Sequence, residues 1–252
     1  MKEGRIKSVD CSAVGTAFLQ PSTLLLRLWI QASVAGLFGG DLQMSKTANA
    51  VSNILFVGCA SAVSVGEKVT LTLEIALPDT SLSEAYFACR YACLREPLGF
   101  PAGAERLEDD AESIHAWWET EEGEVVAVGR IHRIPDDSDG AQSDHAGPDA
   151  AVCPAFTPLA DGGPDMRPAV QIRQMGTRNE WRRQGLASGL VVALEGAAIS
   201  HWGAKSGWLQ SRIEAVPMYA GEDWILFGEE YEVNGIGPHF SMWKLLDGED
   251  LD

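Results

Sequence analysis

Positive charge is scarce in this sequence. The 252 residues include 19 lysines and arginines against 36 aspartates and glutamates, which gives a formal net charge of -17 at pH 7. Nucleic acids and anionic membranes bind positively charged surfaces, so this composition disfavours both as partners. An anionic cofactor would also be repelled, unless the few basic residues are concentrated at one position.

Paired cysteines and nucleotide-binding loops are also missing. The five cysteines are an odd number, and no two have the C-x-x-C spacing. Cys89 and Cys93 are four positions apart, which predicts one helix face and core packing. A metal site is disfavoured because no histidine lies nearby at ligand spacing, and we expect no metal. This cysteine usage fits a reducing, cytoplasmic compartment best.

The sequence has neither a G-x-x-x-x-G-K-[ST] loop nor a G-x-G-x-x-G motif after a strand, which disfavours the common nucleotide-binding sites.

A long apolar run without charge is absent from the first 68 residues. The stretch 17–40 is mostly apolar but has Arg27 at its middle, where a bilayer span would bury the charge at high cost. A membrane anchor is therefore disfavoured, and residues 1–68 are interpreted as a poorly defined extension. Four alternatives stay open: a disordered or partly helical segment, an anchor at 17–40, a lipoprotein-like signal ending at Cys59, and a natural start at Met44 or near Val69.

Regular patterns begin at Val69 and define a predicted domain at 69–247. Alternating apolar residues predict a strand at 69–77, and helical spacing predicts a helix within 81–100, capped by Ser81 or Ser83. A hairpin follows, with strands at 113–120 and 124–134. The run 135–168 is rich in Pro, Gly, Asp and Ser, which predicts a mobile insertion.

The second half of the domain alternates strands with helices. The pattern predicts strands at 169–177 and 206–214, helices at 188–202 and 215–224, and two final strands within 226–246. This order is typical of an α+β domain, in which a mixed, mostly antiparallel sheet has helices packed on it.

The segment 171–198 carries the clearest chemical signal. Its predicted strand leads through a turn at Gly185 directly into a helix, whose free backbone N–H groups can bind an anion. Four arginines lie within eleven residues of this acidic chain, at positions 173, 178, 182 and 183. A pyrophosphate group would account for that local reversal of charge. The alternative is an ordinary strand–helix connection, capped by Ser188 and carrying solvated arginines.

The sequence RRQGLA at 182–187 resembles the R/Q-x-x-G-x-G/A motif of the GCN5-related N-acetyltransferase (GNAT) superfamily. The motif is short, but its position between a strand and a long apolar helix also matches. The order of elements from Val69 to Leu246 is similar, with CRYACLREPLGFP near its start and AVPMY and GPHFSMWKLL near its end. The resemblance implies the acyl-CoA N-acyltransferase fold, with splayed middle strands and helices on both faces of the sheet.

The resemblance also implies where acetyl-CoA would bind as a co-substrate. Its pantetheine arm would pair with the strand at Met175, Gly176 and Thr177. Its pyrophosphate would meet the loop and helix start, largely through backbone N–H groups, at Arg182, Arg183, Gln184, Gly185, Leu186, Ala187 and Ser188. Tyr219 matches the tyrosine that often protonates the departing thiolate in this superfamily.

The chain also departs from the family pattern. Many members carry an asparagine where Gln210 stands and a glycine where Asp223 stands. The insertion at 135–168 is unusual as well. These differences concern the geometry of the pocket more than the fold.

The remaining candidates concern the amine acceptor. Glu119 and His132 lie on or near the hairpin strands, and either is a candidate general base, the alternative being a solvated polar residue. His239 is a candidate for lining the acceptor side, or else it caps a turn. Arg95 is a candidate for binding an acidic group of the substrate, or else it is an exposed arginine at a helix end.

The sequence thus predicts an N-acetyltransferase that moves the acetyl group of acetyl-CoA to a primary amine by direct attack. The acceptor is a small molecule or a peptide, and the acidic surface weakly favours a cationic one. A non-catalytic module that senses acyl-CoA is the alternative. A homodimer stays open.

Overall fold

We analysed a computed structural model of the chain, which describes residues 60–61, 69–143, 152–233 and 235–246. The apolar run at 17–40 and nearly all of the predicted extension lie outside these residues. Among the described helices, none has both the length and the apolar character needed to cross a lipid bilayer.

The described residues form ten strands and four α-helices. The helices are Glu84–Leu94 (α1), Thr157–Gly162 (α2), Leu186–Trp202 (α3) and Val216–Ala220 (α4). The strands are Ala60–Ser61 (β1), Thr70–Ala76 (β2), Ile114–Thr120 (β3), Val125–Arg133 (β4), Gln142–Ser143 (β5), Val152–Cys153 (β6), Ala169–Thr177 (β7), Ser206–Arg212 (β8), Ile225–Val233 (β9) and Gly237–Leu245 (β10).

Eight of these strands form one mixed sheet, in the order β1-β2-β3-β4-β7-β8-β10-β9. Every neighbouring pair is antiparallel except β7 and β8, which are parallel. The predicted mixed, mostly antiparallel sheet is therefore confirmed, and the parallel pair lies at its centre.

Helices cover both faces of this sheet. α3 is apolar around most of its circumference, and it buries Leu190, Val191 and Leu194 in the main core. α1 packs on the opposite face through Tyr86 and Cys89. The two helices thus enclose the centre of the sheet, where the parallel strands meet.

α1 lies within the stretch 81–100 in which the sequence predicts a helix. Ser83, one of the two predicted caps, accepts a hydrogen bond from the N–H of Tyr86 at 3.2 Å. The helix ends at Leu94, and a 3₁₀ turn at Glu96–Leu98 follows because Pro97 lacks the N–H that an α-helix would use there.

Two buried arginines connect α1 to the sheet. Arg90 of α1 donates to both carboxylate oxygens of Asp110, at 3.0 and 2.6 Å. Arg130 of β4 donates to Asp109 at 2.7 and 2.6 Å and to Asp110 at 3.0 Å. Burial alone would raise the pKa of Asp110, but its hydrogen bonds from Arg90 and Arg130 lower it below the usual range. The network is charge-balanced and holds α1 against β4.

The insertion at 135–168 has more regular structure than the sequence predicts. Its described residues include β5, β6 and α2. Phe156 and Leu159 are fully buried and pack with Trp208 of β8 in a separate core cluster. The Pro- and Gly-rich composition hides these two apolar residues, which help to attach the segment to the sheet.

Candidate active site

The central strands separate after a short pairing. β7 and β8 pair at Ala169 with Ser206, Val170 with Gly207, and Gln171 with Trp208. Beyond these three pairs β7 continues to Thr177 and β8 to Arg212, while each stays paired with its other neighbour. The splayed strands implied by the family resemblance are therefore present. They leave a gap whose β7 side offers strand backbone to a ligand.

A β-bulge distorts β7 beside this gap. Gln174 and Met175 lie opposite the single residue Gly129 of β4, because the pairing shifts between Val128 and Arg130. Gln174 has a φ of 56°, which is uncommon for a residue other than glycine. The bulge takes this part of the β7 backbone out of the regular hydrogen-bond ladder. Backbone N–H groups that point towards a developing oxyanion commonly stabilise the oxyanion in acyl transfer.

Arg95 supports the bulge from the end of α1. Its Nη2 donates to Oε1 of Gln174 at 2.8 Å, and its Nε donates to the carbonyl of Ala104 at 3.0 Å. Only 5% of Arg95 is exposed. The predicted alternative of an exposed helix-end arginine is therefore wrong, and the described contacts attach Arg95 to the protein itself.

The loop after β7 leads into an uncapped helix. Gly185 precedes α3 with a φ of 81°, and no side chain caps the helix start. The first helical bond runs from the N–H of Gly189 to the carbonyl of Gly185 at 3.0 Å, so the preceding N–H groups of α3 are left to other acceptors. A Cβ placed on Gly185 would meet no atom within 4 Å, so the space in front of the helix is open. This arrangement suits an anion.

The four arginines of the segment do not act as one cluster. Arg182 and Arg183 are exposed on the loop, where Nε of Arg182 donates to the carbonyl of Thr177 at 3.1 Å. Arg178 instead donates from Nε to the carbonyl of Val125 at 3.0 Å, which ties the loop to the hairpin. Arg173 is buried within β7. Two of the four are thus positioned to face an anion in solution.

Tyr219 lies on α4, in the core cluster that α3 forms with the sheet. Its ring centroid is 6.2 Å from that of Trp224, and only 5% of the residue is exposed. Burial raises the pKa of Tyr219 well above its usual range. The phenol therefore keeps its proton at neutral pH, and it can act as a donor but not as a base.

A buried ion pair supports the Trp224 side of this region. Glu195 of α3 accepts hydrogen bonds from Nε1 of Trp224 at 2.9 Å and from Nζ of Lys244 at 2.6 Å. These contacts connect α3 to β10 and fix the ring against which Tyr219 packs.

The two histidine candidates lie on opposite sides of the gap. His132 of β4 is paired with Gln171. His239 of β10 lies opposite Arg212 of β8, and its Nδ1 is 2.8 Å from the carbonyl of Gly237. A carbonyl only accepts, so Nδ1 carries the proton and Nε2 of neutral His239 has a free lone pair.

Glu119 is not brought to the gap. It lies on β3, which β4 separates from β7. Its Oε2 accepts a hydrogen bond from Nε1 of Trp117 at 2.9 Å. This position gives no support to the prediction that Glu119 is the general base.

Two glutamines close the inner end of the gap, and sequence reasoning did not single out their contact. The fully buried Gln171 donates from Nε2 to Oε1 of Gln210 on β8, and it accepts a hydrogen bond from Nε2 of Gln142. Nε2 of Gln210 is buried and has no partner within the described part of the chain. The departure from asparagine at position 210 is the sequence signal that points here.

Metal ligands do not accompany these groups. Within the described residues no three His, Cys, Asp or Glu side chains are grouped so that they could hold an ion. The chemistry available is that of backbone donors, an anion-binding helix start, a protonated phenol and imidazole groups.

Comparison with known proteins adds family information to this geometry. Residues 164–246 match the family described as the acetyltransferase (GNAT) domain. A search of curated proteins found no match to the chain.

Solved structures with the same arrangement come from several microbes. FeeM, an N-acyl amino acid synthase from uncultured soil microbes, superposes with a TM-score of 0.50 at 10% identity, over 71% of this chain and 92% of FeeM. ElaA from Escherichia coli gives a TM-score of 0.48 at 19% identity, over 69% of this chain and 99% of ElaA. An acyl-CoA N-acyltransferase from Pseudomonas aeruginosa gives 0.47 at 17% identity, over 69% and 99%. The likeness to FeeM, together with the sheet order, identifies the acyl-CoA N-acyltransferase fold.

Proposed function

We propose that this chain, whose residues 164–246 match the acetyltransferase (GNAT) domain family, moves an acetyl group from acetyl-CoA to a primary amine. The family match supports N-acyltransferase activity in general. We extend this general activity in two respects. The transferred group is acetyl, and the acceptor is an amine on a small molecule or a peptide.

The observation that carries the proposal is the gap between β7 and β8 next to the open start of α3. An acyl-CoA needs an anion site for its pyrophosphate and an extended backbone for its arm. The N–H groups before Gly189 and the exposed Arg182 and Arg183 suit the first need. The strand backbone at 175–177, which is paired only on its β4 side, suits the second.

Direct transfer needs a proton donor for the leaving thiolate and an acceptor for the amine proton. Tyr219 is our candidate donor because burial keeps its phenol protonated. His239 is our preferred base, since its Nδ1–H is fixed on Gly237 and Nε2 has the lone pair. His132 is the second candidate, while Glu119 is less favoured because β4 lies between its strand β3 and the gap.

A cationic acceptor fits the charge of the chain. The net charge of -17 would attract an ammonium-bearing substrate to the surface before it loses a proton in the site. Exposed Glu229, Glu230 and Glu232 lie on β9, next to the strand that carries His239. Free Cys89, Cys93 and Cys153 agree with the reducing cytoplasm as the location we propose.

The test is acetyl-CoA binding by calorimetry, followed by a panel of amines with release of free CoA thiol as the readout. We expect binding, and thiol release that depends on a particular amine. Binding without release by any amine would favour the acyl-CoA sensor, and absence of binding would reject both functions.

A further inference from the structure

Two thiols lie together where α1 meets β7. Cys89 and Cys93 occupy successive turns of α1, and their Sγ atoms are 4.0 Å apart. Cys89 is fully buried, while Cys93 is partly exposed. The reaction proposed for the acyl-CoA site uses neither of them.

A cleft of about 190 Å³ opens beside Cys93, between the end of α1 and the loop after β7. Its lining includes Cys93, Thr177, Arg178, Asn179 and Arg182. Two carboxylates, Glu96 and Glu180, lie at the same cleft. Cys93 therefore lines a small space together with two arginines and two glutamates.

Cys93 is the thiol of the pair that a reagent can reach, because it is partly exposed and lines the cleft, whereas Cys89 is fully buried. The hydrogen bond with Cys89 lowers the pKa of Cys93, burial and Glu180 oppose this, and Arg178 and Arg182 lower it further. The same hydrogen bond and burial raise the pKa of Cys89. A lowered pKa increases the thiolate fraction of Cys93, and the thiolate is the nucleophile.

Cys93 also touches the strand proposed to bind pantetheine. A Cβ placed on Gly176 would lie 2.7 Å from Cβ and 3.5 Å from Sγ of Cys93. Because β7 approaches Cys93 closely at Gly176, a group attached to Sγ would extend away from Gly176, into the cleft that Thr177 and Arg182 line.

We propose that Cys93 is a site of thiol–disulfide exchange with anionic low-molecular-weight disulfides, which the cleft and its two arginines admit. The Cys93 thiolate attacks one sulfur of the disulfide, a new sulfur–sulfur bond forms, and the old one breaks. The departing thiolate takes a proton from solvent, so Cys93 is oxidised while half of the reagent is reduced.

The mixed disulfide closes part of the acyl-CoA site. It fills the cleft beside Arg182 and Thr177 and adds negative charge where the pyrophosphate is expected. Loss of acetyl-CoA affinity on modification rests on the proposed function, whereas the exchange at Cys93 does not.

The exchange is tested on the reduced, full chain with three disulfides: CoA disulfide, oxidised glutathione and neutral hydroxyethyl disulfide. Adducts are measured by intact mass and located by peptide mapping, and each rate is divided by the rate of the same disulfide with N-acetylcysteine. We expect an adduct on Cys93 that forms at least tenfold faster, after this correction, with an anionic disulfide than with the neutral one. Acceleration by both anionic reagents would mean that the arginines select charge, and acceleration by CoA disulfide alone would mean that its nucleotide docks on the loop.

Matched variants complete the test. Cys93→Ser should remove the adduct, Cys153→Ser should leave it unchanged, and Arg182→Gln should slow the anionic reagents severalfold without affecting the neutral one. Equal corrected rates for all three disulfides, or a folded protein without an adduct on Cys93, would overturn the proposal. If Cys93 reacts as expected but the reduced chain does not bind acetyl-CoA, the proposed function fails and this inference stands.

Discussion

At the scale of single residues, Tyr219 is a buried member of the core cluster that α3 forms with the sheet. Burial disfavours the phenolate and so raises the pKa of the Tyr219 phenol. The phenol is protonated at neutral pH, so its O–H is present to donate to a thiolate that forms beside it. The same residue packs against Trp224, so the role in catalysis and the role in packing must be separated by experiment.

Replacing Tyr219 by phenylalanine keeps the ring and removes the proton donor. We expect turnover to fall by about 100-fold or more, the usual size of an acid–base contribution, while acetyl-CoA affinity changes little. Steady-state rates and calorimetry measure the two effects. Tyr91→Phe is the matched control, because the Tyr91 hydroxyl only donates to the carbonyl of Phe100, outside the gap. An unchanged rate in Tyr219→Phe would exclude the residue as the acid.

His115 makes the stability of the domain depend on pH. Its Nε2 is 2.8 Å from the carbonyl of Asp110, and its Nδ1 is 2.9 Å from the hydroxyl of Tyr86. Burial lowers the pKa of His115 to about 4, from 6.5 for an exposed histidine. The unfolded chain therefore binds this proton at a higher pH than the folded one does.

The free energy of unfolding should accordingly decrease as pH falls from about 6.5 to about 4, by up to about 3 kcal/mol from this residue alone. Urea unfolding across this range measures the slope. His115→Gln removes the titrating group and should flatten that part of the profile, although the variant is less stable overall. A slope that persists in the variant would assign the effect to carboxylates instead.

Local backbone features were predictable where a motif marks them, whereas features that depend on contacts between distant residues were not. Gly185 has the positive φ that a turn into a helix needs, as its motif indicated. Nothing in the sequence marks Gln174 as a bulge or Arg95 as its support, since these roles depend on pairing across 79 positions. Glu119 was predicted from its strand, but the order of strands in the sheet keeps it from the gap.

At the scale of elements, the connection from β7 to α3 concentrates the exposed positive charge. Arg182 donates to Thr177 and so holds the loop close to the end of β7. The helix start adds the partial positive charge of its free N–H groups. The two features act on the same small volume of solvent.

Arg182→Glu should weaken acetyl-CoA binding at least tenfold, or about 1.4 kcal/mol, because it places a carboxylate next to the pyrophosphate. Calorimetry measures the loss, and circular dichroism checks the fold. Arg133→Glu makes the same change in net charge at the exposed end of β4, and should have a much smaller effect. Equal losses in the two variants would mean that total charge, rather than this loop, controls binding.

Element boundaries were predictable where local chemistry sets them. Ser83 and Pro97 mark the two ends of α1, and both effects are readable from the sequence. The regular structure within the insertion was not predicted because composition reports average polarity, whereas its attachment includes the burial of Phe156 and Leu159.

At the scale of the whole molecule, the described cores draw on residues from β2 onward. The three core clusters contain residues between Val69 and Leu246. β1 adds only two residues at the edge of the sheet, beside β2. The prediction that residues 69–247 form one domain can be tested by shortening the chain.

A chain that begins at residue 58 should unfold in one cooperative transition and keep the acetyl-CoA affinity of the full chain within about twofold, as independent folding units do. Thermal unfolding and calorimetry on both chains measure this. Beginning the chain at residue 78 removes β2 and serves as the destabilised reference. A tenfold loss of affinity in the longer piece would assign part of the site to the first 57 residues.

β7 and β8 pair at only three positions, so the length of β7 beyond that pairing sets a distance along the gap. Its last shared rung is at Gln171 and its end is at Thr177, six residues or roughly 20 Å further along an extended strand. A ligand bound at the loop would extend along the gap as far as the hydrogen bond between Gln171 and Gln210, which closes its inner end. The length of β7 would thus match one distance between the phosphate of a bound acyl donor and its reacting carbonyl. A donor of another length would place a different atom beside Gln171.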